Sequence, residues 1–194
     1  DVAGLEAEPP AADGDDGSVS GPGPPVEAGE VGEVGATVDG CRDRTGRDDL
    51  AAKVVKYIVS ANKVVDDSTL PTATQELVRI RASQINGCGF CLDMHTKDAA
   101  QAGETSVRIN LVAAWREATV FTEAERAALE LAEQGTRIAD GGGVTDEAWA
   151  NAAKHYDDDQ LTAIVAQIAV INAFNRLNVI IQQPAGDYQP GQFG

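Results

Sequence analysis

From residue 51 onward no stretch alternates apolar and polar residues with the period of two that a half-buried strand requires. Helix start and stop signals follow one another instead. Pro71 reads as a first-turn proline, and Leu77, Ile80 and Gln84 are spaced for one face of a helix over 72–84. Asn86-Gly87 interrupts, and a second helix over 88–102 stops at Gly103. A short helix fits 104–114. Thr122 with Glu125 makes a capping box that opens a helix to about Gln134. Gly141-Gly142-Gly143 reads as a loop, and Thr145 caps a helix to about His155. Asp157 with Gln160 opens the last long helix, to about Ile181. The Val and Ile clusters at 53–59 and 163–171 favour strands by propensity, but capping and length decide for helix. An all-α fold of about six to seven helices is expected, with an irregular tail over 184–194.

Composition divides the chain. Residues 1–50 hold thirteen acidic and three basic side chains, many Gly and Pro, and no aromatic residue. Such a segment buries too little apolar area to offset its chain entropy, so 1–48 is expected to be disordered and 49–194 to form the helical domain. A net charge of −16 disfavours a nucleic-acid partner, whose phosphates the surface would repel. The longest apolar candidate, 161–181, is interrupted by Gln167, Asn172, Asn175, Arg176 and Asn178, short of the roughly 20 apolar residues of a membrane span. No membrane association and no secretory leader are expected, and a cytoplasmic location follows.

Only three cysteines occur, two of them in one C-x-x-C, which is not an extracellular disulfide framework. Cys88 and Cys91 are neighbours on one helix face, close enough to form a disulfide with little movement. His95 lies one turn beyond Cys91, where an imidazole can take the thiol proton or stabilise the thiolate nucleophile. The helix start near Asn86-Gly87 favours charge at Cys88 most directly. Glu76, on the preceding helix, reaches the pair only if the two helices fold back on each other. Two plainer readings stay open: a pair of buried thiols beside a satisfied histidine, and a zinc site that adds His155. Cys41 reads as a spare thiol. Trp115 and Arg116 read as a core tryptophan with a snorkelling arginine, and Arg79 and Arg81 as an inter-subunit ion-pair element or plain surface.

The run Glu76-Leu-Val-Arg-Ile-Arg-Ala-Ser-Gln-Ile-Asn-Gly-Cys88-Gly-Phe-Cys91-Leu-Asp-Met-His95 resembles the signature of the alkyl hydroperoxidase D-like (AhpD-like) branch of the carboxymuconolactone decarboxylase family. Ala114-Trp115-Arg116-Glu117, the run from Phe121, Asn175-Arg176-Leu177 and the closing Gly186-Asp187-Tyr188 resemble it too, so that the likeness covers about 50–194. It implies an AhpD-like helical fold, a homo-trimer or hexamer, and reduction of peroxides or disulfides by a thiol cycle without metal or other cofactor. Carried over, Cys91 attacks the peroxide, Cys88 resolves, and Glu76 acts as base with His95 through a proton relay. Dipole logic alone prefers Cys88 as the more acidic thiol; the resemblance prefers Cys91. Better-studied members carry a second histidine just before the second cysteine, where Phe90 stands here.

The expected activity is therefore hydroperoxide reduction through a Cys88–Cys91 dithiol cycle, recharged by a dithiol such as a lipoyl protein or a peroxiredoxin partner. One alternative is a carboxymuconolactone decarboxylase-type lyase, which needs an acid–base pair and no disulfide. The other is a non-catalytic helical oligomer whose thiols report redox state.

Overall fold

The computed structural model describes residues 49–192. The expectations for residues 1–48, Cys41 among them, lie outside the described residues. Among those residues there are eight α-helices and no strand. They are α1 (Asp49–Asp66), α2 (Thr72–Asn86), α3 (Gly89–Gln101), α4 (Ser106–Leu111), α5 (Glu123–Thr136), α6 (Ile138–Gly141), α7 (Asp146–Ala152) and α8 (Asp158–Ile180), with a 3₁₀ turn at Val112–Ala114. The all-α reading therefore stands, and the expected six to seven helices become eight. The additional one is α6. After α5 ends, Arg137 breaks the helical path (φ −90°, ψ 28°), and its carbonyl then accepts from Gly141 N–H at 2.7 Å, closing one further turn. Gly142, at φ +76°, ends it in the left-handed region that glycine enters without penalty.

The central element is α2, in which every residue from Thr74 to Ile80 is buried. On one side Val78 packs with Leu131 of α5 and Ile164 of α8; on the other, Leu77 and Ile80 pack with Val112, Trp115 and Leu129. The capping boxes at Thr122/Glu125 and Asp157/Gln160 are both formed, which fixes where α5 and α8 begin. By length and composition α8 is long and apolar enough to cross a membrane, more than its sequence suggested. Its inner face, however, carries buried Gln167, Asn172 and Asn175 among apolar neighbours. The two asparagines are occupied: Asn172 donates to Thr136 Oγ1 (3.1 Å) and Asn175 to Ser83 Oγ (3.0 Å). A buried polar group is tolerated when it is hydrogen-bonded, so α8 serves as a packed inner helix.

Candidate active site

The turn between α2 and α3 builds the site. Gly87 (φ +66°) occupies the left-handed C-cap position, and Cys88 N–H reaches back to Ser83 O at 3.0 Å, ending α2 within two residues. Cys88 is then the N-cap of α3, its Sγ accepting Cys91 N–H at 3.3 Å. So tight a reversal lays α3 against α2. Glu76, well back along α2, thereby meets His95, well forward along α3. This is the fold-back that a reach from Glu76 to the cysteines requires. Asn86 locks the turn to α8 by donating to Asn172 Oδ1 (3.0 Å) and Asn175 Oδ1 (2.9 Å).

Cys88 and Cys91 are joined, S–S 2.28 Å with Cα atoms 5.4 Å apart, and each is only 1% exposed. Asn178 Nδ2 donates to Cys91 Sγ at 3.4 Å from α8. Beside the pair, His95 Nδ1 lies 3.0 Å from Glu76 Oε2. The other carboxylate oxygen of Glu76 accepts from Arg79 Nη1, while Arg79 Nη2 pairs with Asp66 at the end of α1. Burial by itself would raise the Glu76 pKa. The hydrogen bond and charge of His95, with Arg79, outweigh that and hold the carboxyl below its ordinary 4.5. An ionised Glu76 fixes the neutral imidazole with its proton on Nδ1, which makes Nε2 the basic nitrogen. Two clefts flank this centre. One, of about 250 Å³, is lined by Cys88, Phe90 and Asn178 among others; the second, of about 210 Å³, reaches Glu76 between Thr72, Ala73 and Ala102.

The C-terminal tail straps α3 from outside. Asp93 Oδ2 accepts the N–H groups of Gly186 (2.8 Å) and Tyr188 (3.2 Å), and Lys97 donates to both their carbonyls. The Tyr188 hydroxyl donates to Asp98 at 2.9 Å, and its ring is buried. Irregular backbone is thus held by side chains of the site's own helix.

The sequence profile of the carboxymuconolactone decarboxylase family matches residues 52–134. YdfG of Bacillus subtilis (strain 168), itself uncharacterised, is 40% identical over 131 residues, which are 68% of this chain and 88% of YdfG. The chain belongs to the carboxymuconolactone decarboxylase family. A crystal structure from Agrobacterium tumefaciens, of a protein of unknown function proposed to be the antioxidant defence protein AhpD, is 34% identical with a TM-score of 0.67. That match covers 73% of this chain and 99% of the other, and places the chain among AhpD-like members. The debrominase Bmp8 superposes with a TM-score of 0.64 over 74% of this chain and 75% of its own, at 20% identity. That likeness is one of fold alone.

Of the residues singled out from the family signature, the structure pairs Glu76 with His95 and joins Cys88 to Cys91, with His95 one helical turn beyond Cys91 on α3. It does not add His155, which is exposed in the turn after α7, and among the described residues no three potential metal ligands cluster. Arg79 and Arg81 correct the reading of an inter-subunit or surface pair. Both are bound within the chain, Arg79 to Glu76 and Asp66, Arg81 to Glu133 at 2.7 Å. Trp115 is a core residue with the Arg116 guanidinium 4.3 Å from its ring centroid, as expected. Asn178 was passed over. In the sequence it is one polar interruption of an apolar helix, and nothing local ties it to a cysteine 87 positions earlier.

Proposed function

We propose that this family member reduces hydroperoxides with the Cys88/Cys91 dithiol. The observation that carries the reading is the buried chain Arg79–Glu76–His95 beside two adjoining sulfurs. Such an arrangement holds a base in one tautomer next to a nucleophile, the third-group logic of activated thiols. Cys91 thiolate attacks the peroxide oxygen, the alcohol leaves with a proton from the His95–Glu76 relay, and Cys91 becomes a sulfenic acid. Cys88 then displaces water to form the disulfide. A dithiol returns the pair to its reduced form. The proximity of the sulfurs favours this cycle over an acid–base lyase, in which a disulfide has no part.

Self-association fits the same reading. Leu50, Val54, Tyr57 and Val64 lie exposed along α1, an apolar stripe that a trimer or hexamer would cover.

Peroxide titration of the reduced protein tests the proposal. Two thiols per chain should disappear, at Cys88 and Cys91, with turnover restored by a dithiol. In Cys88→Ser a dimedone-type reagent should label Cys91. Label on Cys88 in Cys91→Ser, with none on Cys91 in Cys88→Ser, would reverse the roles.

A further inference from the structure

The cleft at the hairpin turn is one-sided. Cys88 and Phe90 form one wall, and Asn178, Gln182 and Gln183 from the end of α8 form the other; neither Cys91 nor His95 lines it. No charged side chain lines it either. The amide wall is built by a backbone departure, since Gln182 has φ +56° and is the one non-glycine among the described residues in that region. Asn178 does two things at once. It lines the cleft, and its amide N–H reaches past Cys88 to Cys91 Sγ at 3.4 Å. The cysteine that lines the cleft is therefore Cys88, and the sulfur supplied with a side-chain donor is Cys91.

We propose that a reducing thiolate attacks Cys88 from this cleft and that Asn178 is a catalytic residue, its amide N–H receiving the charge that develops on the departing Cys91 sulfur. The proposal rests on the dithiol cycle above, but not on peroxide being the oxidant. In the first step the reductant's thiolate bonds to Cys88 Sγ, the Cys88–Cys91 bond breaks, and Cys91 leaves with the electron pair. In the second, the reductant's other thiolate attacks its own sulfur in the mixed disulfide and releases Cys88. Two electrons pass to the protein, and the two protons lost by the dithiol end on Cys88 and Cys91. A thiolate formed at a site 1% exposed has little water to solvate it, so a positioned donor sets how readily it forms.

His95, one turn beyond Cys91 on α3, is bound to Glu76 of α2, which Arg79 also holds, while Asp93, Lys97 and Asp98 farther along α3 are taken up by one another and by the tail at Gly186 and Tyr188. From α8, Arg176 is committed to Asn172 Oδ1 at 2.8 Å, which leaves the α8 side of the sulfur to the neutral amide of Asn178. His95 and Asn178 thus act from different helices, and their effects separate by substitution.

Dithiothreitol reduction of the oxidised full chain, followed under pseudo-first-order conditions, reads the step without any peroxide. Asn178→Ala should slow it roughly tenfold, the usual worth of one hydrogen bond to a charged acceptor. Asn178→Asp, nearly the same shape but negatively charged, should slow it further. In the Cys88→Ser background, alkylation of Cys91 followed by mass spectrometry of its own peptide should shift to higher pH in both variants, more so in Asn178→Asp. A merely structural asparagine would lower the melting temperature of both variants without moving that profile. An unmoved profile, or Asn178→Asp reduced as fast as the unsubstituted protein, overturns the proposal. Asn178-dependent reduction in a protein that consumes no peroxide would instead uphold it while removing the peroxidase reading.

Discussion

Two glutamates that each bind an arginine of α2, Glu76 buried and Glu133 partly buried, behave as opposites. Glu133 of α5 is saturated: its Oε2 takes Arg81 Nη2 (2.7 Å), Arg116 Nη1 (2.9 Å) and Trp115 Nε1 (3.1 Å). Burial would raise its pKa, yet these donors bring it down to about 2. Every partner keeps its proton at any ordinary pH, so Glu133 is a fixed anion that ties α5 to α2 and the Trp115 segment. Glu76 gives one oxygen to a permanent cation, Arg79, and the other to His95, whose proton can move. The same residue type is a clamp where every partner is a fixed donor and, on the proposed reading, a relay where one partner is an imidazole.

Substituting each glutamate by glutamine breaks the comparison most directly. Glu76→Gln should slow thiol attack on peroxide by roughly 10²–10⁴, the usual worth of positioned acid–base help. The fold should persist, since Asp66 still balances Arg79. Glu133→Gln should leave that rate within about threefold, yet cost roughly 1–3 kcal/mol of stability because Arg81 loses its counter-charge. Stopped-flow thiol oxidation and urea unfolding of both variants supply the four numbers. A slow Glu133→Gln, or a Glu76→Gln at full rate, would erase the distinction.

Acid unfolding sharpens it. A carboxyl whose pKa is lower folded than unfolded stabilises the protein fully above the unfolded value, 4.5, and loses that contribution as pH falls toward the folded one. For Glu133 the window runs from 4.5 to about 2. Glu76 is lowered in the same direction and adds to the same limb. Urea midpoints should therefore fall below pH 4.5, and Glu133→Gln should show a flatter decline than the unsubstituted chain. Parallel declines in the two proteins would mean that Glu133 carries no share of it.

What the sequence made legible follows the same division between local and distant. The capping boxes at Thr122 and Asp157, the stop at Gly103 (which places the end of α3 one residue late) and the Cys88–Cys91–His95 spacing are set within a few residues, and each was readable. The helix α6 was not, because its single turn rests on one carbonyl, Arg137 O, turned by a backbone kink rather than on any periodic pattern. Arg79 and Arg81 were misread because charge alone does not say which helix face a tight turn will bury. Asn86, Asn172 and Asn175 look like interruptions until the hairpin and α8 meet. That meeting is tertiary, with partners 86 and 89 residues apart.

The smallest expected effect concerns the two helix starts. α5 begins on Thr122, whose Oγ1 accepts Glu125 N–H at 3.2 Å while Glu125 returns a bond to Thr122 N–H at 2.8 Å. α3 begins on Cys88, whose sulfur, a weak acceptor, takes Cys91 N–H at 3.3 Å. The first cap is indifferent to redox state, whereas the second is made by a sulfur of the disulfide. Thr122→Ala should cost about 1 kcal/mol, and by the same amount in oxidised and reduced protein. Reduction should act elsewhere: opening the bond frees the Cys88 sulfur to turn away from the start of α3, so the Cys91 amide should exchange faster in the reduced protein than in the oxidised one. Thermal melts of both redox forms, with amide exchange resolved at Cys91 and Glu125, separate the two caps. A Thr122→Ala cost that changes with redox state would mean that the ends of α3 and α5 are coupled through the core.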